Sequence, residues 1–330
     1  MDGVPVNVQL IFCLIKDTTQ IVAGSNSGLQ EIPPMSAPDS LFIGWLAAFG
    51  AVAVWSGWIV VSRLGIIQTL TIYDIMALRF FVAAVAIAPF LWRYWPRHLR
   101  WWQTVLISLG QGAPYLALAF GGLHFAPASH AGTMMNGTLP IFAFLLGWLF
   151  LNDRPDRWRG VGMLAILIGC GLIGWDRESA GAEPDAWIGH LMFLAAALLV
   201  AANLIGTKAW QLTGLQMMVL IPTVNLVWFG PIYLAYLPKA IGEAPWTEII
   251  LQGAYQGLGP GLFGLLWFAT AIRSIGASPT AAVMAMAPGM AALLAIPILG
   301  EWPSEFAWTG LILTTGGILL TAGWQLGQPR

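Results

Sequence analysis

The chain has 330 residues, of which 58% are apolar and 9% charged, against about 25% charged in an ordinary soluble domain. A formal net charge of −1 and a mean hydropathy of +0.75 exclude a cytosolic enzyme, a disordered chain and a nucleic-acid binder. The solvent that remains is lipid.

Residues 1–40 are expected to form a flexible tail. The run Val8–Ile15 is too short to span a bilayer and lacks the preceding basic residues of a signal peptide, while Gly24–Ser40 is polar and Pro-rich. Met35 is an alternative start, so residues 1–34 are not assigned to the native protein. Beyond the tail, a crossing helix needs about 20 apolar residues, and a barrel strand would alternate over about 10. Ala281 to Leu299 runs without one polar side chain, which favours helices. Ten are predicted: 41–62, 72–92, 104–122, 128–151, 158–175, 187–207, 214–237, 249–272, 278–299 and 305–324. Cys13 and Cys170 make no disulfide framework.

With ten crossings both termini share one side. That side carries ten basic residues (Lys16, Arg93, Arg97, Arg100, Arg154, Arg157, Arg159, Lys208, Arg273 and Arg330) and the other three (Arg63, Arg177 and Lys239). The bias predicts cytoplasmic termini. Trp92, Trp95, Trp101, Trp102, Trp187, Trp246 and Trp302 fall at span ends, as an interfacial belt requires.

An internal repeat is offset by 148 residues. Residues 131–172 align with 279–320 without a gap, setting Pro140 on Pro288, Ala143 on Ala291, Asp153 on Glu301, Pro155 on Pro303, Gly162 on Gly310 and Gly169 on Gly317. The first and sixth spans agree more weakly at an offset of 145. The repeating unit is therefore five spans, and an odd number of crossings inverts the second copy. The expected fold is an all-α integral membrane protein of two inverted five-helix repeats, 41–175 and 187–325, an architecture common among secondary transporters.

The sequence Trp55-Ser-Gly57, the sequence Leu78-Arg-Phe-Phe81 and Leu299-Gly-Glu-Trp-Pro303 before a Gly-rich last span resemble the EamA type of the drug/metabolite transporter superfamily. The resemblance covers about residues 41–325. It implies a ten-span inner-membrane carrier, with amino acids or related metabolites as frequent cargo. One departure is Asn152-Asp153, where the pattern resembles Gly-Glu.

Polar groups within hydrocarbon either bond a neighbouring helix or face a wet cavity. Arg79 lies about 12 Å inside its span, placed either to anchor a carboxylate or to serve a structural or gating role. The resemblance, in which this Arg is kept whatever the cargo, favours the second. Gln111 and Tyr115 share a helical face beside Pro114, and His130, Thr133 and Asn136 recur at spacings of three. Asn203, Asn225, Tyr255 and Gln256 add amides and a hydroxyl, while Trp55 and Trp267 are too deep for the belt. Together they describe a neutral cavity suited to a neutral or zwitterionic amphipathic solute. Gly259, Gly261 and Gly264 satisfy a GxGxxG search, but no strand precedes them and Pro260 intervenes, so a bent or unwound helix is expected instead.

The carboxylates are expected in the tail, the loops and first turns, which argues against coupling through a buried acid. No catalytic residue, cofactor or metal is expected. The predicted activity is export of small metabolites, neutral or aromatic amino acids first, by alternating access in a bacterial inner membrane. A channel-like facilitator is the alternative. The expected partners are a small-molecule substrate and the lipid bilayer, for a monomer or homodimer.

Overall fold

The computed structural model describes residues 38–151, 157–176 and 185–322. The expected tail up to residue 37 and the Asn152-Asp153 turn lie outside the described residues. Within them the chain is all-helical, with no strand. Among the described residues, nine helices are long and apolar enough to cross a membrane: α1 (Leu41–Ile67), α2 (Ile72–Tyr94), α3 (Trp101–Phe125), α4 (Ala128–Leu149), α5 (Arg157–Trp175), α6 (Ala186–Ala209), α7 (Gly214–Tyr236), α8 (Trp246–Ile275) and α9 (Pro279–Leu299). The tenth predicted span is a shorter apolar helix, α10 (Glu305–Thr321). Its 17 residues extend about 26 Å at about 1.5 Å each, just under a hydrocarbon core of about 30 Å.

Local chemistry sets the helix ends. Thr71 caps α2 and Thr213 caps α7, each in a reciprocal box with the residue three along, Asp74 and Gln216. Ser304 caps α10. Gly276 and Gly300 turn the chain at φ 88° and 70°, where a side chain would be strained.

Four helices are interrupted in mid-course. α3 breaks at Gln111-Gly112, ahead of Pro114. α4 widens to a π-turn over Gly132–Gly137, and α8 does so over Gly259–Gly264, where the glycine–proline run led us to expect a bend. α9 breaks after Met284 and resumes at Ala287.

The packing partners are specific. α1 lies against α8 and α9; α6 lies against α3 and α4; α2 meets α7 and α8; α7 also meets α3; α5 pairs with α10. Glycines let the backbones approach where these rods cross: Gly122 of α3 abuts Gly189 of α6, and Gly57 of α1 admits the Tyr255 hydroxyl of α8.

Candidate functional site

The break in α3 frees backbone groups that membrane burial does not forgive. Asn225 Oδ1 accepts from the Ala113 N–H at 2.8 Å, and its Nδ2 donates to the Ser108 carbonyl at 3.0 Å. Asn203 Nδ2 donates to the Ile107 carbonyl at 2.7 Å. Both predicted amides thus brace the interrupted helix. Trp55 does the same for α8, its indole N–H donating to the Pro260 carbonyl in the π-turn at 3.1 Å.

A polar network occupies the middle of the bundle. The Trp58 indole donates to Gln256 Oε1 at 2.8 Å, and Arg79 reaches the same oxygen at 3.4 Å. Gln256 Nε2 donates to Ser62 Oγ at 2.9 Å and to Gln252 Oε1 at 3.3 Å. The Arg79 guanidinium lies 5.6 Å from the centre of the Trp58 ring, which also has the stacked ring of Tyr115 at 6.1 Å and the tilted ring of Phe120 at 6.0 Å. Among the predicted residues, Arg79, Gln111 and Gln256 converge on one cavity between α2, α3, α7 and α8, with about 700 Å³ of space including its mouth. Met217, Met218 and Ile221 form its apolar side. Trp55 and Asn136 line a second cavity of about 810 Å³ with Pro140, Leu204 and Pro288. Both draw mainly on the half of the bundle nearer the chain termini.

The remaining predicted residues lie elsewhere. Thr133 bonds back to the Ser129 carbonyl, and the Tyr255 hydroxyl donates to the Val54 carbonyl at 3.0 Å. Trp267 packs on Gly50 and is 43% exposed on the bundle's outer surface. His130 belongs to a separate buried cluster with His190 and Asp176. Trp58, Ser62 and Gln252 escaped the sequence reading. Their signal was present: Gln252 stands one turn from Gln256, and Trp58 and Ser62 are likewise four apart.

At the end of the bundle away from the termini, three buried carboxylates staple distant helices together. Arg63 Nε donates to Glu301 Oε1 at 2.9 Å, and Glu301 Oε2 accepts from the Ala128 N–H at 2.8 Å. Arg63 also donates to the Leu123 and His124 carbonyls. Glu248 accepts from the Thr69 and Leu70 N–H groups at 3.2 and 3.0 Å. Asp74 accepts from the Tyr233 hydroxyl and, at 2.9 Å, from the Ala240 N–H. The expectation that acids sit in loops and first turns describes their sequence positions, but burial and partners make them structural ties rather than solvated charges. Among the described residues, no group of three His, Cys, Asp or Glu is arranged to hold a metal ion.

Comparison with known proteins adds the family. Residues 42–175 match the EamA-like transporter family. That stretch belongs to it. The protein is accordingly a multi-pass membrane protein of a transporter family. A relative described as "Probable terminal-alkyne amino-acid exporter", from Streptantibioticus cattleyicolor, is 26% identical over 261 residues, covering 76% of this chain and 84% of that one. "Uncharacterized transporter YdfC" of Bacillus subtilis is 27% identical over 193 residues, covering 57% of this chain and 61% of its own length. A solved structure described as "Crystal structure of protein" shares the fold, with a TM-score of 0.53 and 19% identity, covering 86% of this chain and 96% of that one.

Proposed function

We propose that this protein is a carrier that exports small neutral or zwitterionic amphipathic metabolites, amino acids first, by alternating access between two inverted five-helix repeats, 41–175 and 187–325. The observation that carries the reading is the cavity where Arg79, Gln111 and Gln256 meet between helices of the two halves, beneath an end stapled by buried carboxylates, one of them paired with Arg63. A cationic guanidinium beside amides and methionines suits a solute with one carboxylate and an apolar body. The relative named as an amino-acid exporter favours the same class.

The inverted arrangement has its own support. Exchanging the two sets of five turns the α1–α8 contact into α6–α3, α1–α9 into α6–α4, and α2–α8 into α7–α3, while α2–α7 and α5–α10 map onto themselves. The interruptions correspond as well, α3 with α8 and α4 with α9. The basic-residue bias favours cytoplasmic termini, and with the carrier in a bacterial inner membrane the stapled end would face outward.

Counterflow in proteoliposomes tests the proposal. Labelled neutral amino acids should enter vesicles preloaded with unlabelled solute faster than empty ones, and saturate. Uptake that neither saturates nor responds to preloading would support a facilitator, and no movement of any candidate would remove this cargo class.

A further inference from the structure

The solute cavity has a direction, and three of the helices lining it agree on which end is polar. The end of α8 lies beside the start of α1, where Gly44 meets Ser274 and Ile275, so α8 and α2 both run toward the chain termini. Along α2 the lining passes from Arg79 to Ile87, and along α8 from Gln256 to Leu265. The opposite course of α7 sets Met217 nearer the termini than Pro222. The polar groups therefore sit deep in the bundle and the apolar ones toward its terminal side. Steps of eight and nine residues extend about 12–13 Å at about 1.5 Å each.

The apolar part is a slot, because α8 leaves α2 there. A Cβ on Gly253 would stand 3.5 Å from Val82 and one on Gly257 would stand 2.7 Å from it, whereas one on Gly261 meets nothing within 4 Å. The separation coincides with the π-turn Gly259–Gly264, held by the Trp55 indole of α1 on the Pro260 carbonyl. Gly261 has neither a positive φ nor a close neighbour, so neither backbone strain nor packing demands glycine. A side chain at Gly261 would occupy the cavity itself.

The deep end is short of partners. Among the described residues, Arg79 is hydrogen-bonded to the Gln256 amide and paired with no carboxylate, and the Gln111 side chain has no partner. A guanidinium without a counter-charge and an amide oxygen free to accept from an ammonium group match the two ends of an α-amino acid head. We propose that the solute is an α-amino acid with an elongated, unbranched apolar side chain, its carboxylate on Arg79 and its tail along the slot, and that Gly261 sets the length of tail admitted. The proposal rests on the carrier reading for the role of the cavity and narrows its cargo. Branching near the head would fall at the level of Gly257, where α2 and α8 touch, while the thioethers of Met217 and Met218 mould to a flexible chain farther along.

The test is calorimetric titration of the full chain in lipid nanodiscs, with empty nanodiscs subtracted, against α-aminobutyrate, norvaline, norleucine, α-aminoheptanoate and α-aminooctanoate. Affinity should rise about threefold to fourfold with each methylene buried. Norleucine should bind more tightly than its branched isomer leucine, and a second carboxylate at the tip of the longest tail should cancel the gain from its length. The ratio of affinities between the longest and shortest members is then read within each variant, so that a general loss of binding cancels. Gly261→Leu should shrink that ratio at least tenfold and Gly261→Ala should shrink it less. Should Gly261→Leu fail to fold, Ala86→Leu narrows the same slot from α2. Affinity independent of tail length, a preference for leucine over norleucine, or an unchanged ratio in the variants would overturn the slot and leave a carrier of other amino acids standing. A rising series with no counterflow would overturn the carrier reading and leave the slot standing, and no binding of any member would overturn both.

Discussion

Gly162 of α5 and Gly317 of α10 lie against each other's backbone. A Cβ on Gly162 would stand 2.7 Å from the Gly317 carbonyl oxygen, and one on Gly317 would stand 2.6 Å from that of Gly162. Gly169 and Gly310 repeat the arrangement at 2.6 and 2.7 Å. Each contact joins residues that the 148-residue offset relates crosswise, so the two helices meet through matching surfaces in opposite directions.

From this crossing a first prediction follows. Gly317→Ala and Gly162→Ala should each destabilise the protein by about 1–3 kcal/mol, since backbone rather than a flexible side chain must move aside. Gly160 and Gly316 have nothing within 4 Å of the added carbon, so alanine there should cost nothing measurable. Thermal unfolding in nanodiscs compares the four variants. Equal effects at all four would refute the close crossing.

The Arg63–Glu301 pair supports a second. Glu301→Gln leaves a guanidinium buried without its counter-charge, which costs about 3–5 kcal/mol in comparable interiors. Arg63→Met combined with Glu301→Gln should cost clearly less than the sum of the two single changes, because the uncompensated charge is gone. Unfolding by denaturant in mixed micelles measures the cycle, and simple additivity would mean that the two groups do not interact.

A third concerns the interruption of α3. Asn225→Ala orphans the Ala113 N–H and the Ser108 carbonyl, each worth about 1–3 kcal/mol when buried unpaired. The variant should unfold at lower temperature, while its residual folded fraction binds solute with unchanged affinity. A selective loss of affinity at full stability would move Asn225 from brace to binding group.

Much of the architecture was legible because hydrophobic length is a strong signal, and helices α1–α9 each overlap a predicted span. Pro260 within its glycine run announced the unwound turn of α8, since proline removes a backbone donor and glycine tolerates the resulting geometry. The site was harder to read. An amide in a membrane helix serves a cavity or a freed carbonyl equally well, and Asn203 and Asn225 do the latter. Glu248 and Glu301 sit near span ends, where a solvated charge is the ordinary expectation. What buries them is an apposition of residues 179 and 238 positions away, which no local pattern encodes. Asp176 could likewise be placed at the end of a span but not against His130.

The central network yields the last prediction. Arg79 shares Gln256 Oε1 with the Trp58 indole and lies over the Trp58 ring, so its planar head is positioned by these two side chains rather than free in the cavity. Arg79→Lys keeps the charge but loses the flat, multi-donor head, and Gln256→Ala removes the acceptor that positions both Arg79 and Trp58. If the guanidinium holds the carboxylate of the solute, each change should weaken binding about tenfold or more, as expected for a charge-assisted hydrogen bond of about 1.5–3 kcal/mol. Tyr115→Phe should change affinity less, because the ring stacked on Trp58 is retained and only the hydroxyl contact with Met135 is lost. A thermal-shift titration with a stabilising amino acid, repeated with its carboxyl amidated, measures the series. Wild-type protein should discriminate against the amide and Arg79→Lys should discriminate less; equal preference in both would assign Arg79 to the helix framework alone.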